Sequence, residues 1–241
     1  TETESGTEEP ATNQQYTETS TSGYENYSND ATQLIDSRVN SEYINKVPER
    51  RQNCYTIMQV VLDAGLPPNI GYAMIANAKA ESSIMNQKFG DGGHSIGLFQ
   101  INDCHFENDN DQFDPNVVIS FDKKVYDQNR GEKRQTQEKF EMKPSDRTNP
   151  KLNTEYMVYK SILKGSRGEH IINAALYNKR DLDAEANCPL LKQYIPSSVA
   201  YLTGLFCIHH ERPATKYKSG ASRIKDEATE LFGADFISQP R

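Results

Sequence analysis

Hydrophobic positions along the chain gather into helical runs separated by polar punctuation. From residue 49 onward, Cys54, Ile57, Met58 and Val61 recur at spacings of three and four, which predicts an amphipathic helix that Gly65 stops. Pro67, Pro68 and Asn69 then open a second helix. Its apolar residues, Ile70, Tyr72, Ala73, Met74, Ile75, Ala76, Ala78 and Ala80, point in every direction, so it is expected to be buried all round and to end at Lys79–Ser82. Residues 89–102 hold four glycines before a short apolar segment and read as a turn followed by a small β element near 93–102. Further helices are expected near 115–128, 152–164, 168–178, 197–210 and 220–232, with Gly165 and Gly233 as stops. The polar stretch 129–151 reads as an exposed insertion, and no repeat of fixed period is visible.

The first 40 residues break this pattern. They are rich in Thr, Ser, Glu, Asn and Gln, hold almost no aliphatic residue before Leu34, and cannot by themselves offset their ordering entropy. Residues 1–45 are therefore expected to be an anchoring or assembly arm, and residues 46–241 the globular domain.

Charge sharpens that division. Residues 1–45 carry nine acidic side chains and one basic one, Arg38, whereas the remaining 196 carry 26 basic and 25 acidic, so the overall −7 belongs to the arm. The balanced body shows no basic stripe with interleaved aromatics, so no nucleic-acid partner is expected. The longest apolar stretches, near 70–78 and 199–208, are about half the roughly 20 residues that span a bilayer, so no membrane span is expected. The opening TETESGTEEP lacks the basic-then-apolar pattern of a secretory signal.

Four cysteines, Cys54, Cys104, Cys188 and Cys207, form no CxxC pair and allow no disulfide assignment. Cys207 lies near His209 and His210, and Cys104 adjoins His105, yet Cys54 and Cys207 sit in apolar helical runs where a thiol packs as a small hydrophobe, so no metal is expected. A Cys–His nucleophile lacks a motif, and His209-His210-Glu211 lacks the i, i+4 histidine pair of a zinc hydrolase helix.

The strongest local anomaly is Glu81, a carboxylate at the end of the apolar second helix. Burial and the partial negative charge of the helix C-terminus both penalise its ionised form, and a carboxyl that keeps its proton can serve as a general acid. Nine residues later the run Gly90-Asp91-Gly92-Gly93-His94-Ser95-Ile96-Gly97-Leu98-Phe99-Gln100-Ile101-Asn102 resembles the G-D-x-G-x-x-x-G-L-x-Q segment of goose-type lysozymes. Glu81-Ser82 with Gly97–Gln100 resembles the E-S and G-L-M-Q motifs of soluble lytic transglycosylases, and Ala174–Asn178 resembles their A-x-x-Y-N motif. Near the C-terminus, His210-Glu211-Arg212-Pro213-Ala214 resembles the F-E-R-P-A signature of phage tail lysozymes.

The resemblance implies a mainly α, lysozyme-like α+β fold with two helical lobes and a small β element beside a cleft. It implies a cofactor-free peptidoglycan glycosidase that cleaves the MurNAc-GlcNAc β-1,4 bond. Glu81 would be the proton donor, Tyr177 would orient it, and Asp91, matching the aspartate of the G-D pair, would be the base. Ser82, Ser95, Gly97, Gln100, Asn102 and Asn178 would line the glycan site, with Ser82 holding Glu81 in place. An inverting hydrolase needs its base about 6.5–9.5 Å from the acid. Asn102 stands where the family has a second water-positioning aspartate, and an amide can orient water but not take its proton. A lytic transglycosylase yielding 1,6-anhydro products, and an inactive glycan-binding virion protein, are the alternatives. The acidic arm and the tail-lysozyme signature together suggest a phage virion protein, held to tail proteins by the arm and acting on the host wall.

Overall fold

The computed structural model describes residues 27–211 and 216–239. Residues 1–26 of the expected arm, and Arg212, Pro213 and Ala214 of the C-terminal signature, lie outside them. Helix dominates the described residues, 61% against 14% strand, so the fold is mainly α with a small β part. No helix among them is long and apolar enough to cross a membrane.

The chain opens with α1 (Asn29–Arg38), α2 (Ser41–Asn45), α3 (Pro48–Asp63) and α4 (Pro68–Ser82). Ser28 caps α1 by accepting the Ala31 N–H, and α1 buries Ala31 and Ile35 completely. Tyr27 stacks its ring 5.3 Å from that of Tyr55 on α3, and α2 buries Ile44. Residues 27–45 are thus part of the packed fold, which corrects the expected boundary of the arm. A few apolar side chains at helical spacing, Ala31, Ile35 and Val39, suffice once α3 offers a surface to receive them.

After α4 come three short strands, β1 (Phe89–Gly90), β2 (Ser95–Ile96) and β3 (Ile101–Asn102), paired antiparallel in that order. A separate hairpin joins β4 (Ile119–Asp127) to β5 (Glu132–Met142). Here the structure departs from the expected helix over 115–128 and exposed insertion over 129–151. Phe121 pairs across the ladder with Phe140, their rings 4.7 Å apart, and Phe140 and Met142 are buried. Cross-strand aromatic packing outweighs the helical spacing of the same residues.

The second half is helical: α5 (Pro150–Glu155), continuing to Lys164 in wider π turns, α6 (Gly168–Tyr177), α7 (Leu182–Asn187) and α8 (Val199–Phe206), which a π turn extends through Glu211. The last segment comprises α9 (Lys216–Ser222), a π stretch over Arg223–Ala228, α10 (Thr229–Phe232) and α11 (Ala234–Ser238). The apolar faces of α4 and α8 form the centre of the core, with every residue from Asn69 to Ala78 and from Val199 to Phe206 buried.

Two buried amides set the direction of this central pair. Asn69 Nδ2 donates to the Ser197 carbonyl (2.7 Å) and Asn77 Nδ2 to the Thr203 carbonyl (3.2 Å), so α4 and α8 run parallel. Helix α6 runs antiparallel to both: the Ser197 N–H donates to Asn178 Oδ1 just past its C-terminus, while His170 in its first turn stacks on His209 beyond the end of α8.

Candidate active site

Glu81 lies in the last turn of α4, its side chain 24% exposed. Its carboxylate is not isolated, because Arg223 Nη2 donates to Oε1 from the π stretch after α9. Two residues earlier on α4, Lys79 Nζ reaches Glu227 Oε2 (2.5 Å) and Glu230 Oε2 (2.7 Å) on the same C-terminal segment. The sequence predicts a carboxyl kept neutral by burial and by the helix C-terminus; the structure instead supplies a partly exposed carboxylate beside a guanidinium. Arg223 had no signal in the sequence, since it stands 142 residues away in a polar stretch.

The β1–β3 turn lies at the same end of the α4–α8 pair. Phe99 packs its ring 6.3 Å from Phe206 at the C-terminus of α8, one turn beyond the Thr203 that meets Asn77. Within the turn, Asn102 Nδ2 donates to Ser95 Oγ (3.0 Å), and Ser95 Oγ–H donates to Asp91 Oδ2 (2.6 Å). Asp91 itself is exposed and holds φ at +49°, a strained value for a residue with a Cβ. The turn thus presents one oriented, solvent-facing carboxylate.

Most of the remaining motif residues build the turn rather than line a groove. Ser82 is buried; its hydroxyl donates to Ala78 O (2.9 Å) and accepts from Met85 N–H (3.3 Å), so it caps α4 and does not hold Glu81. Gly97 has φ +90°, and a Cβ there would lie 2.2 Å from Arg147 O and from Asn153 Nδ2. Gln100 spends its amide N–H groups on Gly97 O (2.8 Å) and Lys88 O (3.1 Å), and its Oε1 fills the space a Gly90 Cβ would need. Asn102 uses both ends of its amide internally, donating to Ser95 and accepting from Cys104 N–H (2.9 Å).

Beneath the turn sits a polar hub that the sequence reading missed. Asn153 accepts from Phe99 N–H and donates to Ile96 O and Arg147 O, while Arg147 donates to His94 O and Ile101 O and pairs with Asp103 at 2.7 Å. Burial works to raise the Asp103 carboxyl, but its bonds to His94 and Arg147 hold it below the usual carboxylate range.

Tyr177 and Asn178 belong elsewhere. Tyr177 Oη lies 2.7 Å from Tyr126 Oη, next to Gly131 at the tip of the β4–β5 hairpin. Gln128 near that tip donates to Gly65 O, and Tyr126 N–H donates to Ala64 O, both just ahead of α4. Asn178 accepts from Ser197, which in turn meets Asn69 at the first turn of α4. The twelve residues from Asn69 to Glu81 correspond to about 18 Å along the helix axis at about 1.5 Å per residue. Tyr177 and Asn178 therefore stand at the end of α4 opposite Glu81, and the expected orienting role is corrected: antiparallel α6 carries its C-terminus away from Glu81. Burial, then the bond to Tyr177, pushes the Tyr126 hydroxyl up to about 12.

Cys54, Cys188 and Cys207 are buried and Cys104 is exposed. Burial pushes the Cys54 thiol up to about 12, which leaves it a packing group rather than a nucleophile.

No family model, no curated protein and no solved structure matches this chain.

Proposed function

We propose that the chain is a peptidoglycan glycosidase in which Glu81 protonates the bridging oxygen of the MurNAc-GlcNAc bond. The observation that carries this reading is the pairing of a partly exposed carboxylate at the end of a helix buried from Asn69 to Ala78 with a glycine-rich turn at the same end of the core. The resemblance of residues 81–82 and 90–102 to goose-type lysozymes and soluble lytic transglycosylases supports it. Proton donation requires the Arg223 guanidinium to leave Glu81 as the sugar enters and the freed carboxylate to take up a proton from solvent, which it then passes to the bridging oxygen. Asp91, oriented by Ser95 and open to solvent, is the candidate base for a water molecule.

A transglycosylase reading draws on Asn102, whose amide is engaged within the turn and cannot serve as a second base. Without a base, the substrate's own hydroxyl attacks and a 1,6-anhydro product forms. The association with a phage virion is carried by the likeness of residues 210–214 to tail lysozymes and by the acidic first 26 residues. Mass spectrometry of purified particles tests that association.

Zymography on peptidoglycan, with Glu81→Gln beside the parent, tests the central claim. Clearing by the parent and none by the variant is expected; equal clearing, or none by either, removes Glu81 from the role. Mass analysis of released muropeptides separates the two chemistries, since products lighter by one water mark the anhydro route.

A further inference from the structure

Three side chains from three separate elements converge just beyond the C-terminus of α8. His170 stands in the first turn of α6, Asp181 caps α7, and His209 lies on the π turn that extends α8. The Asp181 Oδ2 atom accepts from His170 Nδ1 at 2.6 Å and from His209 Nε2 at 2.7 Å, and the three potential donor atoms all lie within 4.8 Å of one another. The two imidazoles stack with centroids 4.5 Å apart and planes 19° from parallel. One carboxylate oxygen thus faces two ring nitrogens, all borderline-soft or hard donors of the kind a divalent transition metal takes.

We propose that His170 Nδ1, Asp181 Oδ2 and His209 Nε2 form a binding site for a divalent transition metal, zinc foremost, with a fourth position open to water. Tetrahedral coordination at about 2.0–2.1 Å places donor atoms about 3.3 Å apart, so each short contact opens by about 0.7 Å on loading. Each ring nitrogen that now faces Oδ2 must give up its N–H before it can ligate, to the second nitrogen of the same ring where the imidazole is neutral and to solvent where it is charged.

The surroundings are those of a supported ligand set. Asp181 Oδ1 accepts the Ala184 N–H (2.9 Å), which leaves Oδ2 for the shared contact. Asp181 N–H donates to Tyr201 Oη (2.7 Å), Tyr201 donates to Glu185 Oε1 (3.2 Å), and Arg180 pairs with Glu185 at 2.6 Å. Such outer contacts fix the orientation of a ligating carboxylate. The Asp181 side chain is 5% exposed, whereas that of His170 is 46% exposed, so the site is anchored on its inner side and reachable from solvent on the other. The sequence weighs only neighbours along the chain, Cys207 with His209 and His210 and Cys104 with His105, and predicts no metal because Cys54 and Cys207 sit in apolar helical runs. The ligands that converge are brought together by antiparallel α6 and α8 and by the return of the chain at Asp181.

The test uses the tag-free full chain, stripped with a chelator and dialysed. Titration calorimetry with zinc chloride is expected to give one zinc per chain. Cobalt chloride is expected to produce a tetrahedral visible band without a sulfur charge-transfer band, and zinc to raise Tm. His170→Gln changes an exposed ring and is expected to weaken binding at least about 100-fold while leaving the metal-free Tm near that of the parent. A His209→Gln variant that also loses binding supports the assignment. No stoichiometric zinc, a cobalt–sulfur band, or full affinity in His170→Gln overturns it.

Discussion

Tyr177 Oη meets Tyr126 Oη at 2.7 Å at the tip end of the β4–β5 hairpin, at the opposite end of α4 from Glu81. The A-x-x-Y-N motif therefore serves the join between hairpin and helix. Tyr177→Phe removes one partly exposed hydrogen bond, so a stability loss of about 0.5–1.5 kcal/mol is expected in urea denaturation. Peptidoglycan clearing is expected to stay within about twofold of the parent, where a residue orienting the acid would cost about 10²-fold or more.

Glu81 and Arg223 form an ion pair with side chains 24% and 17% exposed, intermediate between a surface pair and a buried one. Glu81→Gln, Arg223→Gln and the double variant define a cycle in which a coupling of about 1–3 kcal/mol is expected from denaturant midpoints. Only the variants lacking Glu81 are expected to lose clearing by about 10²–10⁴-fold. A coupling near zero would show that the pair does not hold the last turn of α4 to the C-terminal segment.

His210 stacks on Phe206 at 4.8 Å, and its Nε2 has no hydrogen-bond partner among the described residues. Burial, and after it the nearby His209 and His170 rings, pull this imidazole down to about 3. The unfolded chain takes up the same proton near the ordinary 6.5, so between these values the unfolded state binds more protons and stability rises with pH. The His210 contribution is present in full above about pH 6.5 and is lost as pH falls toward 3, at up to about 1.4 kcal/mol per pH unit. His210→Phe keeps the stack and removes the titration. Relative to the parent, its melting temperature is expected to fall less between pH 6.5 and 4.

Two glycines of one turn make different demands. At Gly97, φ +90° combines with a backbone oxygen and an amide 2.2 Å from any added Cβ, so Gly97→Ala is expected to cost at least about 2 kcal/mol. At Gly92, φ is +69° and nothing lies within 4 Å, so Gly92→Ala is expected to cost only about 1 kcal/mol of backbone strain. Thermal unfolding of the two variants in parallel checks the difference.

Local sequence was sufficient wherever one element decides its own state. Helices α3, α4, α6 and α8 were readable because long apolar runs with glycine or proline at their ends bury their side chains whichever neighbour they meet. Glu81 stood out for the same reason, as a charge ending such a run. Strand β4 was not readable, because Val118, Phe121 and Val125 satisfy a helical spacing until Phe140 arrives from 19 residues beyond Phe121 to pair with it. Nor could motif order reveal that Tyr177 lies far from Glu81, since that depends on α6 running antiparallel to α4. Arg223 at the acid, the Asn153–Arg147 hub under the glycine turn and the His170–Asp181–His209 cluster exist only after helices separated along the chain are packed. Propensity and apolar periodicity act over a few residues, whereas these contacts follow from the relative direction of whole elements, which the shared core determines.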